Sequence, residues 1–337
     1  MAAGSRCATL GESAPIQPAP GSMNVRLDLK MPALPARAAR PAAVLAVSVL
    51  AVPVLLLAAC GGGGGSSSPP ETPNQLPVAA ARVSGQSVLQ TATVFDTTGS
   101  ADPDGSIASS SWNYGDGQTG TAASHVYTTS GAFTAVYTVT DNRGAQASAS
   151  VQVQVAKCST AGTAAASLSP FTSVCMQTSR GEIVIEVYQA LAPATAANFL
   201  RYVDEGFYTG LLFHRVIPGF VIQAGGFVPG PTAKTPTYGP IALESNNTLK
   251  NWQYTLAMAR TSVVNSATSQ FYVNLVDNHQ LDYNPAVAGA NGYAVFGLVI
   301  HGTAAVEGIG TVATTTRAGM PDVPVDDVLI RSVVRMP

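Results

Sequence analysis

The sequence predicts a chain dominated by β-structure, with two folded modules. An antiparallel β-sandwich comes first, and a closed antiparallel β-barrel with two capping helices follows it. Three observations carry this reading. A period of two runs through both halves: Val136, Thr138 and Thr140 alternate with Tyr137 and Val139, Val151, Val153 and Val155 with Gln152 and Gln154, and Ile183, Ile185 and Val187 share one face opposite Glu182 and Glu186. Turn signals are dense between residues 76 and 156. Only two stretches of the C-terminal half read as helix, one early and one late.

Length and composition bound the possibilities. A chain of 337 residues holds two domains plus segments that do not fold. It carries 17 Lys and Arg against 19 Asp and Glu, a formal net charge of −2, so nothing attracts nucleic acid electrostatically. The four cysteines (Cys7, Cys60, Cys158 and Cys175) have neither zinc-ligand spacing nor a paired CxxC. The four histidines are dispersed, and no metal site or cofactor is expected.

Residues 1–59 read as an extension and an export signal. Arg26, Lys30, Arg37 and Arg40 precede an apolar run from Ala42 to Ala59, which suits a secretory signal better than a membrane span. The run ends in Leu57-Ala58-Ala59-Cys60, which resembles the bacterial lipobox. That resemblance implies acylation of Cys60 and attachment to the membrane through an N-terminal lipid. It places the protein in the cell envelope, facing the periplasm. Gly61 offers no inner-membrane retention signal of the kind Asp would give, which points to the outer membrane. Residues 60–75 are Gly-, Ser- and Pro-rich and read as a flexible tether. Cys158 and Cys175 then remain in an oxidising compartment, where they are expected to pair rather than stay as free thiols.

In residues 76–156, short strands lie between the turns Asp102-Pro103-Asp104-Gly105, Tyr114-Gly115-Asp116-Gly117 and Asp141-Asn142-Arg143-Gly144. The segments Gly99 to Ile107, Trp112 to Gly117 and His125-Val126-Tyr127, with Gly131 and Val139-Thr140-Asp141, resemble the PKD domain. Asn113 departs from the family's usual Asp. The resemblance implies an immunoglobulin-like sandwich that acts as a spacer or binds a protein or carbohydrate partner. Trp112 is expected to anchor the core between the sheets. Turn chemistry explains the Asp102 and Asp104 pair without a cation.

Residues 157–173 read as a linker, and residues 174–337 as the second module. Gly181 to Tyr188 is a strand with Ile183, Ile185 and Val187 on one face. Pro193 suits the first position of a helix whose stripe is Phe199, Leu200 and Val203 and whose stop is Gly206. A second helix falls near residues 303–309, and the last strand runs from Val328 to Val334.

Three runs of this module resemble the cyclophilins, the short bacterial periplasmic type in particular. They are Phe213-His214-Arg215-Val216-Ile217-Pro218-Gly219-Phe220-Val221-Ile222-Gln223-Ala224-Gly225-Gly226, Leu256 to Thr261 with Ser266 to Asn274, and Gly292 to Gly297. The resemblance implies a peptidyl-prolyl cis–trans isomerase acting on proline-containing polypeptides and assisting their folding outside the cytoplasm. The reaction is rotation about an X–Pro bond, whose partial double-bond character sets a barrier of about 18–20 kcal/mol. No nucleophile or cofactor is required; the twisted amide must be bound better than either planar form.

By the same resemblance Arg215 is the catalytic guanidinium, a donor that cannot lose its proton. Gln223 orients the substrate backbone and helps hold Arg215. Phe220, Val221, Tyr272 and Leu281 line an apolar slot for the proline ring. Ala259, Arg260, Gln270 and Tyr293 lie along the groove for an extended substrate. Val221, Tyr272, Tyr293 and Gln280 depart from the commoner Met, Phe, His and large aromatic, and Ala224 from a Gly. The loss of the aromatic at Gln280 predicts weak cyclosporin binding. His214 adjoins Arg215, but neighbours in a strand point to opposite faces, so a structural role is expected for it. The other reading of the chain is a cell-envelope protein that binds proline peptides with little turnover.

Overall fold

The structure is a computed structural model and describes residues 72–337. The expected signal, Cys60 and most of the tether lie outside the described residues. Among the described residues no helix is long and apolar enough to cross a membrane.

The first module is a two-sheet sandwich. Strands Ser87–Val88, Gln146–Ala156, Gly131–Asp141, Ile107–Asn113 and Thr119–Gly120 lie in that order in one sheet. Arg82–Ser84, Ala92–Asp96 and Ser124–Val126 form the other. Its pairs are antiparallel except one: Ser87–Val88 runs parallel to the end of Gln146–Ala156. Trp112 is buried, with its ring 4.3 Å from Phe95 of the opposite sheet and 4.7 Å from Tyr137 of its own. Its burial joins the two layers. The recognised turn residues have structural partners. His125 Nε2 lies 2.7 Å from Asp116 Oδ2, and its ring stacks on Tyr114 at 4.1 Å. Burial alone would raise the Asp141 carboxyl. Hydrogen bonds donated by Asn74, Ala145 and Arg143 outweigh that and hold it below the ordinary carboxylate value.

The segment read as a linker contains a helix, α1 (Thr160–Leu168). Its signal is local. The Ser159 hydroxyl accepts from the Gly162 N–H at 3.0 Å, as an N-cap should, and donates to Glu182 at 2.6 Å. Cys158 and Cys175 are disulfide-bonded beneath it. The segment is therefore a packed joint rather than a loose connection. Gln86 bonds to Thr160, the Arg331 guanidinium reaches the Gln90 carbonyl, and Val334 packs on the sandwich core.

The second module is one eight-stranded antiparallel sheet. Its order is Phe213–Ile217, Val221–Ala224, Phe271–Asn274, Thr255–Met258, Val295–His301, Gly181–Val187, Thr172–Thr178 and Ile330–Arg335. It curls around a core that includes Ile183, Ile185, Phe199, Phe213, Phe271 and Phe296. Helix α2 (Pro193–Asp204) buries the expected Phe199, Leu200 and Val203. Its free N-terminal amides at Ala194 and Thr195 donate to the Glu244 carboxylate at 3.0 and 2.8 Å. Helix α3 (Thr303–Gly310) covers the other side of the core with Val306 and Ile309.

A fully closed barrel was the expectation, and here the structure differs. Phe213–Ile217 and Ile330–Arg335 are the two ends of the sheet and share no ladder. One isolated bridge, Leu212 to Leu329, spans the seam, flanked by the bonds Phe213 N–H to Val328 and Ile330 N–H to Leu211. Beside it stands a hairpin of Thr314–Arg317 and Met320–Pro324, whose second arm packs against Phe213–Ile217.

Candidate active site

Register assembles the site. Arg215 pairs with Gln223, Gln223 with Tyr272, and Tyr272 with Ala257, across four adjacent strands. Cross-strand partners share a face, so these residues form one row on the outer surface of the sheet. Arg215 reaches that row through a β-bulge: Phe213 pairs with Ala224, yet Arg215, two residues on, pairs with Gln223. The extra residue is His214, which is buried against Phe227 at 4.4 Å while Arg215 stays half-exposed.

Arg215, Phe220, Val221, Gln223, Ala259, Arg260, Tyr272, Leu281 and Tyr293 enclose a pocket of about 150 Å³. Gln270, the tenth expected residue, lines a neighbouring pocket of about 160 Å³ that shares Gln223, Ala259 and Arg260. Val221, Ala257, Tyr272 and Val295 form the apolar floor, with Phe220, Leu281 and Tyr293 at its rim. The Tyr272 and Tyr293 rings meet edge to face at 5.7 Å.

Gln223 and Arg260 have hydrogen-bond partners within the protein. Gln223 does not hydrogen-bond Arg215; its Nε2 donates to Gln270 Oε1 at 2.9 Å. The Arg260 guanidinium is also engaged. Nε and Nη2 donate to the Gly292 carbonyl, Nη1 donates to that of Thr261, and the group lies 4.6 Å from the Tyr293 ring centre. Arg260 therefore forms a wall of the pocket. The Ala259 N–H is given to the Gln270 carbonyl at 2.9 Å, and among the described residues no backbone N–H reaches the Ala259 carbonyl.

Sequence reasoning missed the polar support behind the floor. The Tyr272 hydroxyl donates to Asn251 Oδ1 at 2.8 Å, and Asn274 Nδ2 approaches the same oxygen at 3.3 Å. Asn278 donates to Asn274 Oδ1 and to the Phe220 carbonyl, at 2.8 and 2.9 Å. Asp282 accepts from the Asn251 backbone and side chain. Burial pushes the Tyr272 phenol well above its ordinary value, so the hydroxyl remains a donor. The available signal was Asn274 itself, a polar residue between Val273 and Leu275 in a buried strand. Asp322 was missed as well; its carboxylate lies 3.7 Å from Arg215 Nε, and nothing local in the sequence connects the two.

His214 is not placed for acid–base work. Burial drives its imidazole down to about 4, and Nδ1 has no hydrogen-bond partner. It is neutral near pH 7 and belongs to the structure beneath the bulge.

Comparison with known proteins agrees with this geometry. Residues 173–335 match the family model for cyclophilin type peptidyl-prolyl cis-trans isomerase/CLD, and residues 74–155 match that for the PKD domain. The chain is 50% identical over 161 residues to "Peptidyl-prolyl cis-trans isomerase B" of Escherichia coli, covering 48% of this chain and 97% of that protein. It is 47% identical over 161 residues to "Peptidyl-prolyl cis-trans isomerase cyp18" of Streptomyces antibioticus, covering 48% and 96%. A relative from Acinetobacter baylyi is 48% identical over 162 residues, covering 48% and 84%. The matches to these relatives span about half of this chain, as the family model does. The eight-stranded sheet, the row of paired site residues and these similarities together establish that the chain belongs to the cyclophilin type peptidyl-prolyl cis-trans isomerase family and carries a PKD domain ahead of the isomerase domain.

Proposed function

We propose that the protein catalyses cis–trans isomerisation of X–Pro bonds in extracytoplasmic polypeptides and so assists their folding. The observation that carries this is the apolar pocket with Arg215 and Gln223 paired at its edge. In the twisted amide the prolyl nitrogen regains a lone pair, and its charge distribution differs from both planar forms. A fixed guanidinium stabilises that state more than either ground state. Arg215 is the catalytic residue in this reading, Gln223 orients the substrate backbone, and Phe220, Val221, Tyr272 and Leu281 receive the proline ring. Ala259, Arg260, Gln270 and Tyr293 border the extended chain.

The test is exchange of a proline tetrapeptide by the full chain and by its Arg215→Ala variant. The native chain accelerates exchange, and the variant, still folded, loses about 100-fold or more of kcat/KM. A folded native chain without acceleration would favour the reading of a proline-peptide binder.

Localisation is part of the proposal. The lipobox-like Leu57-Ala58-Ala59-Cys60 and the following Gly/Ser tether support a periplasm-facing lipid anchor in the outer membrane. The PKD domain serves there as a spacer or a docking module for a protein or carbohydrate. Mass spectrometry of the mature N-terminus reads the first part directly, as an acylated Cys60.

A further inference from the structure

We infer that Asp322 is a positioning residue for Arg215, an inference that rests on the catalytic reading of that arginine. The strand Phe213–Ile217 is paired on one side only, and the Met320–Pro324 arm of the hairpin packs against it. That arm brings Asp322 Oδ2 to 3.7 Å from Arg215 Nε, with both side chains half-exposed.

Three features fix the arm that carries the carboxylate. Val323, the next residue, is buried and anchors the arm in the core. Arg317 pins the hairpin base, donating to the Pro324 carbonyl at 2.9 Å and to Asp327 at 2.6 Å. Asp322 itself takes φ of 61°, a left-handed backbone that Asp and Asn tolerate better than most residues. The arm's packing and this backbone together bring its carboxylate to the flank of Arg215.

The contact also suits the task. Asp322 faces Nε, the inner nitrogen, and the two terminal nitrogens of Arg215 have no hydrogen-bond partner among the described residues. These are the donors an amide in the pocket would need. An unpaired arginine of this exposure samples several rotamers, and ordering it costs free energy at each binding event. A nearby carboxylate narrows that set in advance without consuming the reactive donors.

The experiment compares Asp322→Asn with the native full chain in tetrapeptide exchange, each also in an Arg215→Ala background. Asn keeps the left-handed backbone accessible and removes only the charge. Expected at about 0.01 M salt is a roughly two- to fivefold fall in kcat/KM, the range of a half-exposed ion pair. At about 1 M salt, where the Debye length is about 3 Å, the native chain falls to the level of the variant. In the Arg215→Ala background, Asp322→Asn leaves the residual rate unchanged. A merely structural role would lower that residual rate equally and would survive salt, and either result overturns the inference. An undiminished Asp322→Asn variant overturns it too while leaving the isomerase reading intact. An inactive native chain overturns both.

Discussion

Gln223 gives its side-chain N–H to Gln270 across 2.9 Å, and its register partner Arg215 lies 3.7 Å from Asp322. The two principal residues of the site are thus supported from opposite flanks, one by a neighbouring strand segment and one by a hairpin. Removing the Gln270 acceptor should therefore act on Gln223. Gln270→Ala is expected to lower kcat/KM by about fivefold, the worth of one ordinary hydrogen bond. Gly226→Ala reaches the same end without replacing either glutamine, because its methyl would stand 2.6 Å from the Gln270 side-chain amide and displace it. Tetrapeptide kinetics of both variants, at comparable circular dichroism, check this.

Tyr272→Phe separates stability from the pocket. The hydroxyl points away from the site, to Asn251, and its loss leaves one buried acceptor with a longer bond to Asn274. The expected cost is about 1 kcal/mol of folding stability, with KM nearly unchanged because the ring face is kept. Denaturant titration and steady-state kinetics on the same preparation report the two effects.

Reduction of Cys158–Cys175 should loosen the joint beneath α1. The bond closes a loop with a sequence separation of 17, and loops of about that size are worth roughly 3 kcal/mol. Both cysteines are buried with Val184 and Met336, in a cluster separate from the pocket floor. A Cys158→Ala, Cys175→Ala chain should melt at a lower temperature than native and match its kcat/KM at temperatures where both are folded. Thermal denaturation with and without reductant is the measurement.

His214 gives a pH signature. Its folded pKa, about 4, lies below the ordinary 6.5 because burial disfavours the cation. Between those values the unfolded chain holds a proton that the folded chain does not. Stability is therefore full above about pH 6.5 and falls as pH drops towards 4, by up to about 3 kcal/mol. His214→Phe should flatten this part of the stability curve. Urea midpoints between pH 4 and 7.5 decide it, with no fall in the native chain counting against the burial argument.

Much of the fold and site was legible in the chain because local rules governed it. Period-two alternation marks Gly181–Val187 as a strand, and Pro193 marks the start of α2. The run from Phe213 to Gly226 supplied four of the nine pocket residues by resemblance, Arg215, Phe220, Val221 and Gln223. Helix α1 was also locally signalled, by the Ser159 cap, but its Ala-rich, weakly amphipathic run reads equally well as a linker.

The sequence by itself determined the candidate residues for the proposed chemistry: an arginine, an amide and a set of apolar rings in a family-like order. Only the tertiary structure decided how they meet. The bulge at His214 turns Arg215 into register with Gln223, and a bulge is a pairing defect with no mark in one strand alone. The seam that stops short of full closure, and the hairpin that fills it, bring Asp322 to Arg215 from 107 residues further along the chain. The Asn251, Asn274 and Asn278 network joins segments that are remote in sequence order from Phe220. Each of these depends on which backbone groups have already found partners elsewhere, and that accounting exists only once the whole sheet has formed.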